Sequence, residues 1–281
     1  MIIWLASYPK SGNTWLRSLI ANYYFSKTGK FDFSLLERID SFPSSRYFRR
    51  YIDKFSEPHE TSKYWIKEQE KINKIKGFKF YKTHNALCKI DGNQFTNIKN
   101  TSGAIYIIRD PRNVITSLSN HFQISIEEAF HFMTEEKKGI YAKENGRFVS
   151  FQALFSWKLN LKSWIENKTY PVLTIRYEDL LSESFSTFKL VVDFINKITN
   201  SNHKFDKEKA KNCIKNCDFS NLKKLEKEKG FSEAITKKGS NEKINFFNLG
   251  KDNDYKKLLD KELINKMNNL FQDELVKYKY E

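Results

Sequence analysis

Three short stretches of the chain place cationic, hydroxyl and imidazole side chains where the backbone itself suits anion chemistry. The first is Tyr8-Pro-Lys-Ser-Gly-Asn-Thr-Trp15. It lies between an apolar run ending at Ser7 and a segment, Thr14 to Tyr24, whose Trp15, Leu16, Leu19, Ile20 and Tyr23 fall at helical spacing. A strand that breaks at Pro9, passes Gly12 and enters a helix at Asn13 or Thr14 aims several unpaired backbone N–H groups at one point, where the helix dipole adds about half a positive charge. Lys10 supplies a full charge, and Ser11 and Thr14 supply hydroxyls. This combination suits a phosphate ester. The plainer alternative is a helix merely capped by Ser11, Asn13 or Thr14. The loop also differs from the common nucleotide-hydrolase pattern of Gly, four residues and Gly-Lys-Ser/Thr. Here Lys10 precedes Gly12, and no earlier Gly exists.

The second stretch is Gly77-Phe-Lys-Phe-Tyr-Lys-Thr83, an alternating strand pattern that ends at Thr83-His84-Asn85. Ligands of open α/β sheets bind beyond the carboxyl ends of strands, which puts Lys82 and His84 on the rim that carries Lys10. Among His59, His84, His121, His131 and His203, only His84 directly follows an expected sheet strand. It is therefore the candidate proton acceptor, against the plainer reading of a structural histidine. In the third stretch, Ala104-Ile-Tyr-Ile-Ile108 reads as a buried parallel strand and Arg109-Asp-Pro-Arg-Asn113 follows it. Asp110 is the expected N-cap and Pro111 the first helical residue. Arg109 offers forked donors to a phosphate and Ser117, two turns into the helix, offers a hydroxyl. The alternative for Arg109 is a surface ion pair with Asp110 or Glu178.

Further elements must hold these groups. Residues 28 to 76 read as irregular and aromatic, a possible pocket wall or a plain surface layer, and Thr134 to Gly146 reads as polar and mobile. A long amphipathic helix is expected from about Ser150 to Lys168, then a strand at Pro171-Val-Leu-Thr-Ile175 and a new helix from Arg176-Tyr-Glu-Asp-Leu180. Helical spacing returns at Phe188 to Ile198, Asp206 to Asn216 and Asp260 to Lys277, whereas the charged stretch Lys223 to Lys251 reads as a loop ordered by ligand. Strands alternating with helices predict an α/β fold, a central mostly parallel sheet flanked by helices.

The chain has 281 residues with 40% hydrophobic content and no Pro/Gly/Ser linker, which favours a single domain over residues 1–281. Its net charge of +15 invites anionic ligands. Nine Arg against forty Lys, scattered among Asn, Ile and Phe, do not form an Arg-rich nucleic-acid face. Cys88, Cys213 and Cys217 lack metal-ligand spacing and point to a reducing compartment. The opening residues are too short and too plain for a signal peptide, and no apolar run reaches the ~20 residues of a membrane helix. A cytoplasmic protein without a transmembrane segment is the expectation.

Taken in order, these motifs resemble the cytosolic-type sulfotransferases that use 3′-phosphoadenosine 5′-phosphosulfate (PAPS), in a bacterial-like form, over almost the whole chain. Tyr8 to Trp15 resembles the 5′-phosphosulfate loop, with Asn13 in place of the commoner Thr. Tyr81-Lys-Thr-His84 is similar to the segment holding the catalytic base, which implies that His84 is the base and Lys82 and Lys10 stabilise charge. Tyr106 to Ser117 resembles the 3′-phosphate strand and helix, implying Arg109 and Ser117 as ligands. Arg176-Tyr-Glu-Asp-Leu180 implies Tyr177 beside the adenine, with Phe219 stacked on one side and Trp15 on the other. The cofactor-binding set implied by the resemblance is Lys10, Ser11, Gly12, Asn13, Thr14, Trp15, Arg109, Ser117, Tyr177, Phe219, Asn248, Gly250 and Lys251. It also implies a P-loop-like three-layer fold and in-line transfer of a sulfuryl group to a hydroxyl or amine of an acceptor, with no metal and no nucleic-acid partner. The family's late basic pair falls on Asn248 and Leu249, or else on Lys237-Lys238-Gly239. Losing one charged partner there predicts weaker donor affinity by ~1.5 to 3 kcal/mol. Competing readings are a small-molecule kinase and a non-catalytic nucleic-acid-binding protein.

Overall fold

Five strands, all parallel, form the central sheet in the computed structural model, which describes residues 1–280 except Lys238 and Asn241. In chain order the strands are β1 (Ile2–Ala6), β2 (Asp40–Ser41), β3 (Lys79–Thr83), β4 (Lys89–Ile90), β5 (Asn93–Gln94), β6 (Thr101–Ile108), β7 (Gly139–Glu144), β8 (Arg147–Ala153) and β9 (Val172–Arg176). The sheet order is β2-β3-β1-β6-β9, so β1 is flanked on both sides. Its register aligns Ala6 with Thr83 on β3 and with Tyr106 on β6, while Ile108 on β6 aligns with Arg176 on β9. The ends of β1, β3, β6 and β9 therefore open on one rim, where Pro9 to Gly12, His84, Arg109 and Tyr177 follow them.

Both faces of the sheet are covered, which explains why its central strands β1 and β6 read as apolar runs. Ile3 and Leu5 of β1, with Ile105 and Ile107 of β6, pack against the helices Asn13–Phe25 and Ser184–Thr199. Ile2, Trp4 and Ala6, with Ala104, Tyr106 and Ile108, pack the other way, against the helices Pro111–Phe122 and Trp157–Ile165 and the aromatics of residues 42–65. The four strands expected from the sequence are present, and the short β2 joins them at the edge.

Four expectations need correction. The helix expected from Ser150 begins at Trp157, capped by Ser156, because residues through Ala153 belong to β8. β7 and β8 form an antiparallel hairpin about Asn145 and Gly146, both at positive φ (49° and 77°). Asn-Gly is the preferred pair for such a tight turn, so the stretch read as mobile and polar is an ordered ribbon. The stretch from Lys223 begins as helix, Phe219–Lys229, which buries Leu222 and Glu226. Asp260 to Lys277 is two helices, Lys261–Leu270 and Gln272–Lys277, separated at Phe271.

Candidate active site

The first turn of the helix Asn13–Phe25 carries no side-chain cap. Asn13 turns inward, its Nδ2 donating to the Leu5 carbonyl (2.9 Å) and to Ser7 Oγ (3.2 Å). Thr14 Oγ1 donates to Glu233. The plain capping alternative is therefore not what the loop does. Lys10 and Gly12 both hold left-handed backbone, φ 66° and 98°, with Ser11 between them. Such alternation lines N–H groups into a concave anion seat.

His84 leaves β3 with its Nδ1 2.9 Å from the Ser7 carbonyl oxygen and 3.2 Å from Ser7 Oγ. A carbonyl only accepts, so Nδ1 carries the proton of the neutral ring and Nε2 carries the lone pair. Asn160 Nδ2 donates to the His84 carbonyl at 3.0 Å and fixes the backbone beneath the ring. Burial, reinforced by the Lys82 charge and opposed by the Ser7 carbonyl, lowers the His84 pKa to about 3.

Lys82 lies beside His84, its Nζ 2.8 Å from Glu233 Oε2. Burial lowers its pKa, with Glu233 opposing and Arg17 adding to the shift. Lys10 Nζ stands 3.9 Å above the Phe246 ring, and burial together with the charges of Lys82 and Arg109 brings it down to about 7. Glu233 answers these cations. Burial would raise its carboxyl, but the charges and hydrogen bonds of Lys82 and Arg17 hold it well below the ordinary carboxylate range.

On the other side of the rim, the Arg109 guanidinium lies 4.3 Å over the Tyr177 ring and its Nη1 donates to the Lys10 carbonyl at 3.3 Å. Neither expected alternative partner binds it. Asp110 pairs with Arg112, and Glu178 accepts from the Asp110 N–H. Trp15 meets Tyr177 edge-on at 5.5 Å between ring centres. The segment after Phe246 folds against the helix Pro111–Phe122: Asn253 accepts from Thr116 Oγ1 (2.6 Å) and donates to the Asn113 carbonyl (2.8 Å). Gly250 at φ 60° lies against Phe219, where a Cβ would come within 2.5 Å of the ring.

All of this encloses one cavity of about 590 Å³. Its walls include Lys10, Gly12, Asn13, Thr14, Trp15, Lys82, His84, Arg109, Ser117, Tyr177, Phe219, Asn248 and Gly250. Ser11 is not among them. Its hydroxyl is buried without a protein partner among the described residues, as are Trp15 Nε1 and Arg109 Nε. Those orphaned donors, grouped about the turn and Tyr177, fit a polyanionic ligand. Lys237 and Gly239 do not line the cavity, while Lys238 and the side chain of Lys251 lie outside the described residues. Sequence reasoning missed Glu233, His121 and Lys223, which also line the cavity. A lone Glu or His among many lysines carries no spacing signal. Lys223 Nζ donates to the Asn248 carbonyl at 3.0 Å, placing a cation beside the position that lacks one in sequence.

The rim of a parallel α/β sheet, an uncapped helix N-terminus and two cation-lined ends of one cavity define an anion-binding protein of the nucleotide-handling type. Comparison narrows this. The chain belongs to the sulfotransferase domain family, whose family model matches residues 2–279. It is 28% identical to the flavonol 3-sulfotransferase of Flaveria bidentis, over 97% of this chain and 81% of that protein. It is 23% identical to the luciferin sulfotransferase of Photinus pyralis, over 92% of this chain and 68% of that protein. Among solved structures it resembles a retinol dehydratase complexed with androsterone and the inactive cofactor PAP. That likeness has a TM-score of 0.62 and 17% identity, covers 98% of this chain and 80% of that one, and shows the shared fold.

Proposed function

We propose that this chain, as one unit over residues 1–281, transfers a sulfuryl group from PAPS to a hydroxyl or amine of a small acceptor. The observation that carries the reading is that residues of the Lys10–Trp15 turn, Arg109, Ser117 and His84 line the same cavity. PAPS, when bound, supplies the sulfuryl group. The N–H groups of the Lys10–Thr14 turn other than that of Ser11, which donates to the Tyr8 carbonyl, would hold its 5′ end with Lys10 Nζ and the Ser11 hydroxyl, and the Thr14 hydroxyl would join them on turning from Glu233. Arg109, Ser117, Asn248 and the Gly250 and Lys251 backbone would hold its 3′-phosphate. Tyr177, Trp15 and Phe219 line the cavity and would offer apolar faces to the base; solved proteins of the same fold hold PAP.

His84 takes the acceptor proton at Nε2, the nitrogen left bare by the Ser7 contact. Its lowered pKa leaves the ring neutral in the ligand-free site, and the negative charge of bound PAPS would raise it toward the working pH that suits a general base. Lys82 and Lys10 offset the negative charge that builds on the leaving oxygen, the electrostatic contribution usually largest in such transfers. The remaining contribution is placement, since one rigid rim holds all the reacting groups. The test is to incubate the protein with sulfur-35-labelled PAPS and a panel of phenols, aliphatic alcohols, glycans and amines, and to measure PAP binding by calorimetry. Labelled product and micromolar PAP affinity are expected. Absence of PAP binding would reject the reading.

A further inference from the structure

We propose that Glu233 is the positioning residue for Lys82. Anchored by Arg17, its carboxylate fixes the Lys82 ammonium beside His84 and keeps it charged. This rests on the reading of Lys82 as the charge-stabilising group of sulfuryl transfer. The two carboxylate oxygens of Glu233 are divided: Oε1 accepts from Arg17 Nη1 at 2.6 Å, and Oε2 accepts from Lys82 Nζ at 2.8 Å and from Thr14 Oγ1 at 3.3 Å. Arg17 has no place at the cavity. It is 4% exposed, sits one turn beyond Thr14 and sends Nη2 to the Ile39 carbonyl at 3.4 Å. It holds Glu233 from behind. Glu233 accordingly stands in the wall between the main cavity and a neighbouring cleft of about 440 Å³ that Arg17 lines.

Lys10 and Lys82, two of the three lysines among the described residues that line the cavity, differ in their partners. Lys10 faces the ring of Phe246, and among the described residues no carboxylate contacts it. Lys82 is as enclosed, has Arg17 and Lys10 as like-charged neighbours, and differs by having a carboxylate in contact. His84 and His121 face the same group of charges without adding one, Arg109 lies beyond Lys10, and Glu226 is taken up by the N–H groups of Phe246 (2.7 Å) and Phe247 (3.0 Å). Glu233 is thus the one carboxylate among the described residues in contact with the ammonium of Lys82. It comes from residues 230–236, paired through Ile244 N–H to the Ile235 carbonyl with the strand of chain that leads into Phe246 and Asn248. Placement of Lys82 is therefore tied to the same segment that walls the far end of the cavity.

Competitive labelling with acetic anhydride over a range of pH, read by mass spectrometry at Lys10 and Lys82, measures each amine without any need for turnover. In Glu233→Gln the labelling midpoint of Lys82 should fall by about one to three pH units, the range for loss of one adjacent opposite charge. In the same variant kcat should fall roughly 10²-fold with little change in the KM for PAPS, and its alkaline limb should move to lower pH. Glu233→Asp should restore the Lys82 midpoint. An unchanged midpoint in Glu233→Gln, or a kcat equal to the parent's, would overturn the assignment. In the parent protein Lys82 must label with a higher midpoint than Lys10, and the reverse order overturns the assignment even if the variants do not fold. A parent protein that transfers no sulfuryl group would instead count against the proposed function, and the labelling would still decide the role of Glu233.

Discussion

The Tyr177 ring lies directly over Gly12, where a Cβ would stand 2.5 Å from Cδ2, at a backbone φ of 98° that side chains rarely adopt. The same ring supports the Arg109 guanidinium at 4.3 Å. One aromatic therefore sets the separation of the two anion-binding ends. Gly12→Ala should cost about 1–3 kcal/mol in stability through the strained backbone alone, and should weaken PAP through displacement of Tyr177. Thermal unfolding and calorimetry measure the two effects.

Removing the imidazole addresses chemistry without touching the donor. His84→Ala should lower kcat roughly 10²- to 10⁴-fold and leave PAP affinity little changed. Because burial and Lys82 hold the His84 pKa to about 3, the kcat/KM profile should lack an acid limb near pH 6.5. A limb there that vanishes in the variant would keep His84 as the base but overturn its depressed pKa, whereas a kcat equal to the parent's would reject His84 as the base.

Lys10 predicts a proton balance on binding. In the ligand-free site its pKa is about 7, and an anion seated beside it must raise that value. PAP binding should therefore take up protons above pH 7, approaching one proton at higher pH, and affinity should weaken as pH rises through that window. Calorimetry in buffers of different ionisation enthalpy counts the protons. Lys10→Arg, whose guanidinium stays charged, should abolish the uptake.

The missing cation at the 3′ end is open to repair. Asn248 lines the cavity near Ser117 and Gly250. Asn248→Arg should strengthen PAP binding by ~1.5 to 3 kcal/mol, the worth of one charged hydrogen bond, or roughly ten- to a hundredfold in Kd. Titration at fixed salt tests this, and the gain should shrink as salt rises.

Stability should fall on mild acidification. His84 and His121 are each held near 3, by burial first and by lysine charges second, whereas an unfolded histidine titrates near 6.5. Between those values the unfolded chain binds protons that the folded chain refuses, so stability decreases as pH falls. Melting temperature should drop between pH 7 and 5, above the range in which the carboxylates titrate. The drop should be shallower in His121→Phe.

What the sequence disclosed follows physical signal strength. Apolar runs made β1, β6 and β9 legible and alternation made β3 legible, and the residues that follow them are where Lys10, His84, Arg109 and Tyr177 are found. The hairpin β7–β8 was misread because its alternation of Phe148, Ser150 and Gln152 with Val149, Phe151 and Ala153 merges into the helical pattern that follows, although Asn145-Gly146 marked the turn. Glu233 was invisible for a different reason. Its meaning lies in Arg17 and Lys82, far away in sequence and unrelated to it by any period.

The left-handed twist at Lys10 has an implication for evolution of the molecule. A lysine placed at φ 66° with its amine in dry surroundings is a poor choice for folding on both counts. Exchanging it for glycine would relax the chain and remove the enclosed amine, so Lys10→Gly should melt higher while losing its grip on anions. Selection for robustness alone would discard this side chain, and its presence marks the opening loop as territory kept for reactivity.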